Sequence, residues 1–208
     1  MTTFFGMPYI ESLYASEAYQ VNLYLHPDNN LISFLTLPED VSVSSVLAPI
    51  TPTADRILTD GHSSLFIDGT WYGSLEYLDT YSGYWIRLAE FDTLTFLGSP
   101  LDPFKAYDLA EGLNLISFPV PGSVGISEGI PDDLEDSVPY IISESVATAQ
   151  INGEWVGSLE NFNGARGYWF NVDEAMTFQY DLETIEAISR QNSMVEVENP
   201  FGFSQSEV

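Results

Sequence analysis

His26 and His62 are the only histidines of this chain, so any proton transfer or metal binding through imidazole has to start from one of them. Neither is repeated in the internal duplication described below, and each reads as a solvent-exposed loop residue. Ser33 and Ser117 recur inside the string NLISF but lack the Gly-x-Ser-x-Gly spacing that raises a serine nucleophile on a strand-to-helix turn. Glu76 and Glu160 each follow a GSL and resemble glycosidase carboxylates in type. They come one per copy, without the second carboxylate such chemistry needs, and read as surface or turn residues. The run PDDLED places Asp132, Asp133, Glu135 and Asp136 together, an oxygen-rich composition suited to Ca²⁺, yet it lacks EF-hand spacing and its glycine. With no cysteine, thiolate catalysis and zinc–sulfur sites are excluded. The expectation is a protein that is not an enzyme, with no catalytic residue, no cofactor and no resident metal.

The elements that position these residues are written twice. NLISF at Asn30–Phe34 returns at Asn114–Phe118, an offset of 84 residues, and the same offset carries Trp71 to Trp155, Gly73 to Gly157 and Trp85 to Trp169. One offset held along this length marks a tandem duplication. The Gly/Pro-bearing stretch GSPLDPFKA, Gly98–Ala106, separates the copies. The expected organisation is an N-terminal arm over 1–16, β repeats over 17–98 and 99–181, and a C-terminal segment over 182–208, partly extended or held by a partner.

Short apolar or alternating strings such as RILT, SSLFI and GYWIRL, bounded by turn residues, are strand signals. Asp68-Gly69 and Asn152-Gly153 predict type I′ hairpins at the same place in both copies. VSVSSVLAP and VGISEGIPD each predict one helical turn, and the N-terminal segment and DLETIEAISR carry helical character. The fold class expected is all-β: two tandem, homologous, small β-sandwich or barrel-like domains with short helical or extended terminal arms.

Trp71, Trp85, Trp155 and Trp169 are expected in the cores, because indoles dominate burial in small β domains; a stacking platform for sugars is the alternative. Tyr72, replaced by Val156 in the second copy, is expected to be exposed. Gly73, Gly83, Gly157 and Gly167 are framework glycines, needed for a positive φ, a bulge or the close approach of another strand. Phe4 and Phe5 near the start, and Phe201 and Phe203 in the polar segment QNSMVEVENPFGFSQSEV, are candidate docking anchors for a partner.

Five Lys and Arg against 31 Asp and Glu give a formal charge of −26, which repels nucleic-acid backbones and anionic lipid. No apolar run reaches the roughly 20 residues of a membrane span, and the N-terminus lacks a basic leader. Neither nucleic acid nor membrane is therefore an expected partner.

The order NLISF, SVL, W-x-GSL, GYW resembles β-rich modules of bacterial secreted and surface proteins, written NLIS-x-P followed by GYW, and similar modules of marine bacteriophage structural proteins. The resemblance spans Asn30–Tyr84 and Asn114–Tyr168; copy two has the NLISFP form, whereas copy one has Leu35 in place of the proline. It implies a packing module without catalytic residues. The expected function is a structural, virion-located assembly protein of a bacteriophage, as a decoration, fibre or tail-associated subunit. Its expected partners are other virion or surface-assembly proteins and further copies of itself. The alternative is a surface adhesion or carbohydrate-binding module, at the cell surface or secreted, with a glycan as partner.

Overall fold

The computed structural model describes residues 19–98, 101–182 and 195–196. Within them the chain is all-β. The first copy runs β1 (Tyr19–Leu25), β2 (Asp28–Ser33), a one-turn helix (Val43–Val46), a 3-10 turn (Ala48–Ile50), β3 (Ala54–Thr59), β4 (His62–Ile67), β5 (Thr70–Gly73), β6 (Gly83–Leu88) and β7 (Asp92–Gly98). The second runs β8 (Tyr107–Leu109), β9 (Gly112–Ser117), β10 (Ser123–Gly125), a helical turn (Ile126–Gly129), a 3-10 turn (Glu135–Ser137), β11 (Tyr140–Ser143), β12 (Val146–Ile151), β13 (Glu154–Gly157), β14 (Asn161–Asn163), β15 (Gly167–Val172) and β16 (Met176–Phe178). A short β17 (Val195–Glu196) pairs in parallel with β1.

Each copy builds an antiparallel five-stranded sheet in the same order, β2-β6-β3-β4-β5 and β9-β15-β11-β12-β13. The first and last strands of each copy form a separate ribbon, β1 with β7 and β8 with β16. Strand alternation points one face of each sheet at its ribbon, and the core lies between these layers. In the first copy Val21, Leu23 and Leu25 pack with Ile57, Tyr84, Ile86 and Leu88; in the second Tyr107, Leu109 and Phe178 pack with Ile141, Tyr168, Phe170 and Val172. The second core is the more aromatic. Phe162, where offset 84 gives Leu78 in the first copy, lies 5.0 to 5.7 Å, ring centre to ring centre, from Phe118, Tyr168, Phe170 and Tyr180.

The predicted hairpins are present. Asp68 and Gly69 have φ of 48° and 85°, Asn152 and Gly153 of 55° and 82°, the paired positive values of a type I′ turn. The helical turns predicted in VSVSSVLAP and VGISEGIPD fall at Val43–Val46 and Ile126–Gly129, the first capped by the Ser42 hydroxyl. The repeated asparagine of NLISF acts locally. Asn30 accepts from the His26 amide and donates to its carbonyl, and Asn114 does the same with Ala110. Each thereby closes the turn between the ribbon and the first strand of its sheet.

Candidate functional site

The repeated aromatics divide by strand parity. Tyr84 and Tyr168 face the cores and are almost wholly buried. Their phenols accept from the backbone amides of Asp79 and Asn163, at 2.8 and 2.7 Å, locking the loop before each strand. Burial raises the pKa of both phenols well above the usual tyrosine value. The neighbouring Trp85 and Trp169 necessarily point the other way and are only partly buried. Trp71 and Trp155 are also partly buried, each against the margin of its core. The expectation of core tryptophans is thus corrected for Trp85 and Trp169, whereas Trp71 and Trp155 pack against the cores without being fully buried. In the GYW strands the core positions are occupied by the tyrosines, because residues one apart on a strand lie on opposite faces. Tyr72 is exposed as expected, at 58%, but so is Val156 at 50%.

The glycines mark close approaches. A Cβ on Gly73 would meet the Ser63 carbonyl at 2.0 Å, and one on Gly157 the Ala147 carbonyl at 2.2 Å, where the edge strand bends against its neighbour. Gly83 and Gly167 serve a different contact, the seam between the copies. A Cβ on Gly83 would meet Leu115 Cδ1 at 2.7 Å and the Gly167 Cα at 3.1 Å; one on Gly167 would meet Leu31 Cδ1 at 2.9 Å and the Gly83 Cα at 3.2 Å. The backbone pairings across the seam obey the same exchange. The Ser33 amide donates to the Ala165 carbonyl and the Ser117 amide to the Tyr81 carbonyl; Ile32 bridges Arg166 and Ile116 bridges Ser82. Adding 84 to one partner of each pair and subtracting it from the other generates the second pair. The copies therefore meet about a pseudo-two-fold axis near Gly83 and Gly167, with Leu31 and Leu115 buried in the seam and assigned to neither core.

Polar side chains then break this symmetry. Glu144 accepts from the Leu31 amide at 2.8 Å and contacts His26 Nε2 at 2.6 Å and Arg166 at 3.4 Å, with its side chain 7% exposed. His26 is therefore part of the seam, which corrects its reading as a free loop residue. On the other side Lys105 Nζ donates to the Thr80 carbonyl and, at 3.2 Å, to Ser117 Oγ, which also contacts the Tyr107 hydroxyl at 2.9 Å. The Tyr81 and Tyr107 ring centres lie 4.0 and 4.9 Å from this nitrogen. Ser33 and Ser117 are buried seam residues whose hydroxyls donate to the carbonyls of Arg166 and Thr80. Offset 84 places Val21 where Lys105 stands and Leu23 where Tyr107 stands, so repetition could not reveal this cluster. The one available signal was a lysine in a linker of a chain with five basic residues.

Burial lowers the Lys105 ammonium pKa from 10.5 to about 7, against the pull of Asp79 and Asp102. Between those values the unfolded chain holds a proton that the folded chain has released, so this group makes stability rise with pH from about 7 to about 10.5. In the middle of that window the slope approaches about 1.4 kcal/mol per pH unit, the value for one proton; the tyrosine faces favour the cation and so narrow the window from its lower end. Urea melts of wild type and Lys105→Met across this range should show that added slope in the wild type alone; parallel curves would contradict it.

The other candidates are dispersed. Glu76, Glu160 and His62 are exposed, and so are Asp132, Asp133 and Asp136. Glu135 accepts from the Trp155 indole at 2.9 Å, a structural use of the acidic run. Among the described residues no group of three or more His, Asp or Glu is placed to hold a metal, and no helix is long and apolar enough to cross a membrane. Phe4, Phe5, Phe201 and Phe203, and most of both segments expected to be helical, lie outside the described residues.

No protein-family model, curated protein or solved structure matches this chain. The sheet faces turned away from the cores carry the remaining signal. Leu65, Ile67 and Tyr72 on β4 and β5 are exposed, as are Leu113, Ile142, Ile151 and Val156 on β9, β11, β12 and β13. Leu65 and Tyr72 are direct cross-strand partners. The strands β5 and β13 end their sheets with no further strand paired to them among the described residues.

Proposed function

We propose that the chain is a non-enzymatic assembly protein, a bacteriophage virion component that bridges neighbouring subunits. The observation behind this reading is the duplication of an exposed apolar surface. Ile67 and Tyr72 in one copy and Ile151 and Val156 in the other sit beside a terminal strand, β5 or β13, at corresponding places about the pseudo-two-fold axis, and Leu65 extends the first of these surfaces. Apolar side chains beside an unpaired strand edge invite strand addition or face-to-face packing. Two such surfaces on one chain let a single molecule contact two neighbours, and weak contacts then multiply by copy number. The resemblance of NLISF and GYW to phage structural modules favours the same reading.

Two measurements test it. Mass spectrometry of purified particles whose genome encodes the chain should find it at a fixed ratio to the major structural protein; its absence from particles rejects the virion reading. Sedimentation of the full chain should show self-association or binding to particle proteins that Tyr72→Asp and Ile151→Asp each weaken by about tenfold or more, a loss of some 1.4 kcal/mol per contact surface. Unchanged association by both variants rejects the sheet faces as the contact.

A further inference from the structure

We propose that the first copy, and not the second, carries a binding groove for a neutral sugar, a function separate from assembly. Between the helical turn at Val43–Val46 and the β4–β5 hairpin lies an open groove of about 410 Å³, within the range of small-ligand sites. Three aromatic residues line it, Phe66, Trp71 and Tyr77, with Ser44, Thr70 and Glu76 among the polar positions. Tyr77 is 65% exposed. The Thr70 hydroxyl, the Glu76 carboxylate and the Tyr77 phenol have no hydrogen-bond partner among the described residues, so each can engage a ligand.

The composition selects the ligand. Aromatic faces take the C–H face of a pyranose, while hydroxyls and a carboxylate match the donors and acceptors of its hydroxyl rim. No Lys, Arg or His lines the groove, and Glu76 with the overall charge of −26 opposes anionic ligands. Sialylated, sulfated and phosphorylated sugars are therefore disfavoured.

The two copies differ at this place. In the second copy the indole N–H is held by Glu135. At the corresponding position in the first copy stands Thr51, whose hydroxyl donates instead to the Leu47 carbonyl. Trp71 Nε1 is left buried with no acceptor, and an unpaired buried donor is a departure that stable folds otherwise avoid. The other aromatic walls change too: offset 84 replaces Phe66 by Gln150 and Tyr77 by Asn161. Only the first copy retains the aromatic surround, while its indole lacks the anchor that fixes Trp155.

The test is a tryptophan-fluorescence and calorimetric titration of the full chain with maltohexaose, cellohexaose, chitohexaose and mannohexaose, with sialyllactose and a proline-rich decapeptide as comparators. At least one neutral oligosaccharide should bind with a dissociation constant of about 1 mM or tighter. Tyr77→Ala, an exposed change that spares folding, and Trp71→Ala should each weaken it by about tenfold or more, while Trp155→Ala leaves it unchanged. No binding by any neutral oligosaccharide up to about 10 mM, binding that survives both Tyr77→Ala and Trp71→Ala, or preference for sialyllactose or the peptide would each overturn the proposal.

Discussion

Phe162→Ala is expected to destabilise the second repeat by about 3 to 5 kcal/mol, the cost of an emptied aromatic site in a core that cannot fully collapse around it. That is a large fraction of the roughly 5 to 15 kcal/mol by which a domain is stable. Phe162 is fully buried and its ring stands against Phe118, Tyr168, Phe170 and Tyr180. Its removal therefore strips contacts from four further rings at once. Trp169→Ala, on the opposite face of the sheet and only partly buried, should cost clearly less. Denaturant melts of the two variants check this ordering. Equal losses, or a larger loss for Trp169, would place the stabilising mass of the repeat on the outer face.

The second large effect is at the seam. Gly83→Ala with Gly167→Ala places two methyl groups where each glycine Cα already lies 3.1 to 3.2 Å from the Cβ position of the other. Overpacking of this kind costs about 1 to 3 kcal/mol per site, and two methyls meeting across the axis should exceed the sum of the single changes. The expected result is separation of the copies while both cores persist. Melting should split into two transitions, and proteolysis should reach the segment between β7 and β8. Because Leu115 is the first side chain met by a Cβ on Gly83, Leu115→Ala should recover part of the loss in the Gly83→Ala background. A double-alanine variant that melts as the wild type does, in one transition, would show that the close approach is not required.

The hairpins and the seam differ in how far they can be read before folding. Hairpins at Asp68-Gly69 and Asn152-Gly153 were legible because positive φ at two adjacent positions restricts residue choice locally. The duplication was legible because one offset aligns two whole copies, and in the folded chain the two sheets share one strand order. Strand parity in GYW was also available, since tyrosine and tryptophan one apart cannot share a face. Which of the two faces the core was not, because both are large and amphipathic.

An all-β chain, its tandem repetition, its turns, its acidic charge and the absence of cysteine chemistry all follow from local geometry or composition, and residue order is enough to specify them. The remaining features needed the packed chain. Only the docking of one copy on the other gives Gly83 and Gly167 their reason, buries Lys105 against Tyr81 and Tyr107, and brings Glu144 to the Leu31 amide across more than a hundred residues. Only the folded hairpin lays Phe66, Trp71 and Tyr77 around one groove. The Glu144–Leu31 and Lys105–Tyr81 contacts join positions that offset 84 does not relate, so repetition carries no trace of them; they arise when two similar surfaces meet and a side chain of one copy finds a neighbour in the other.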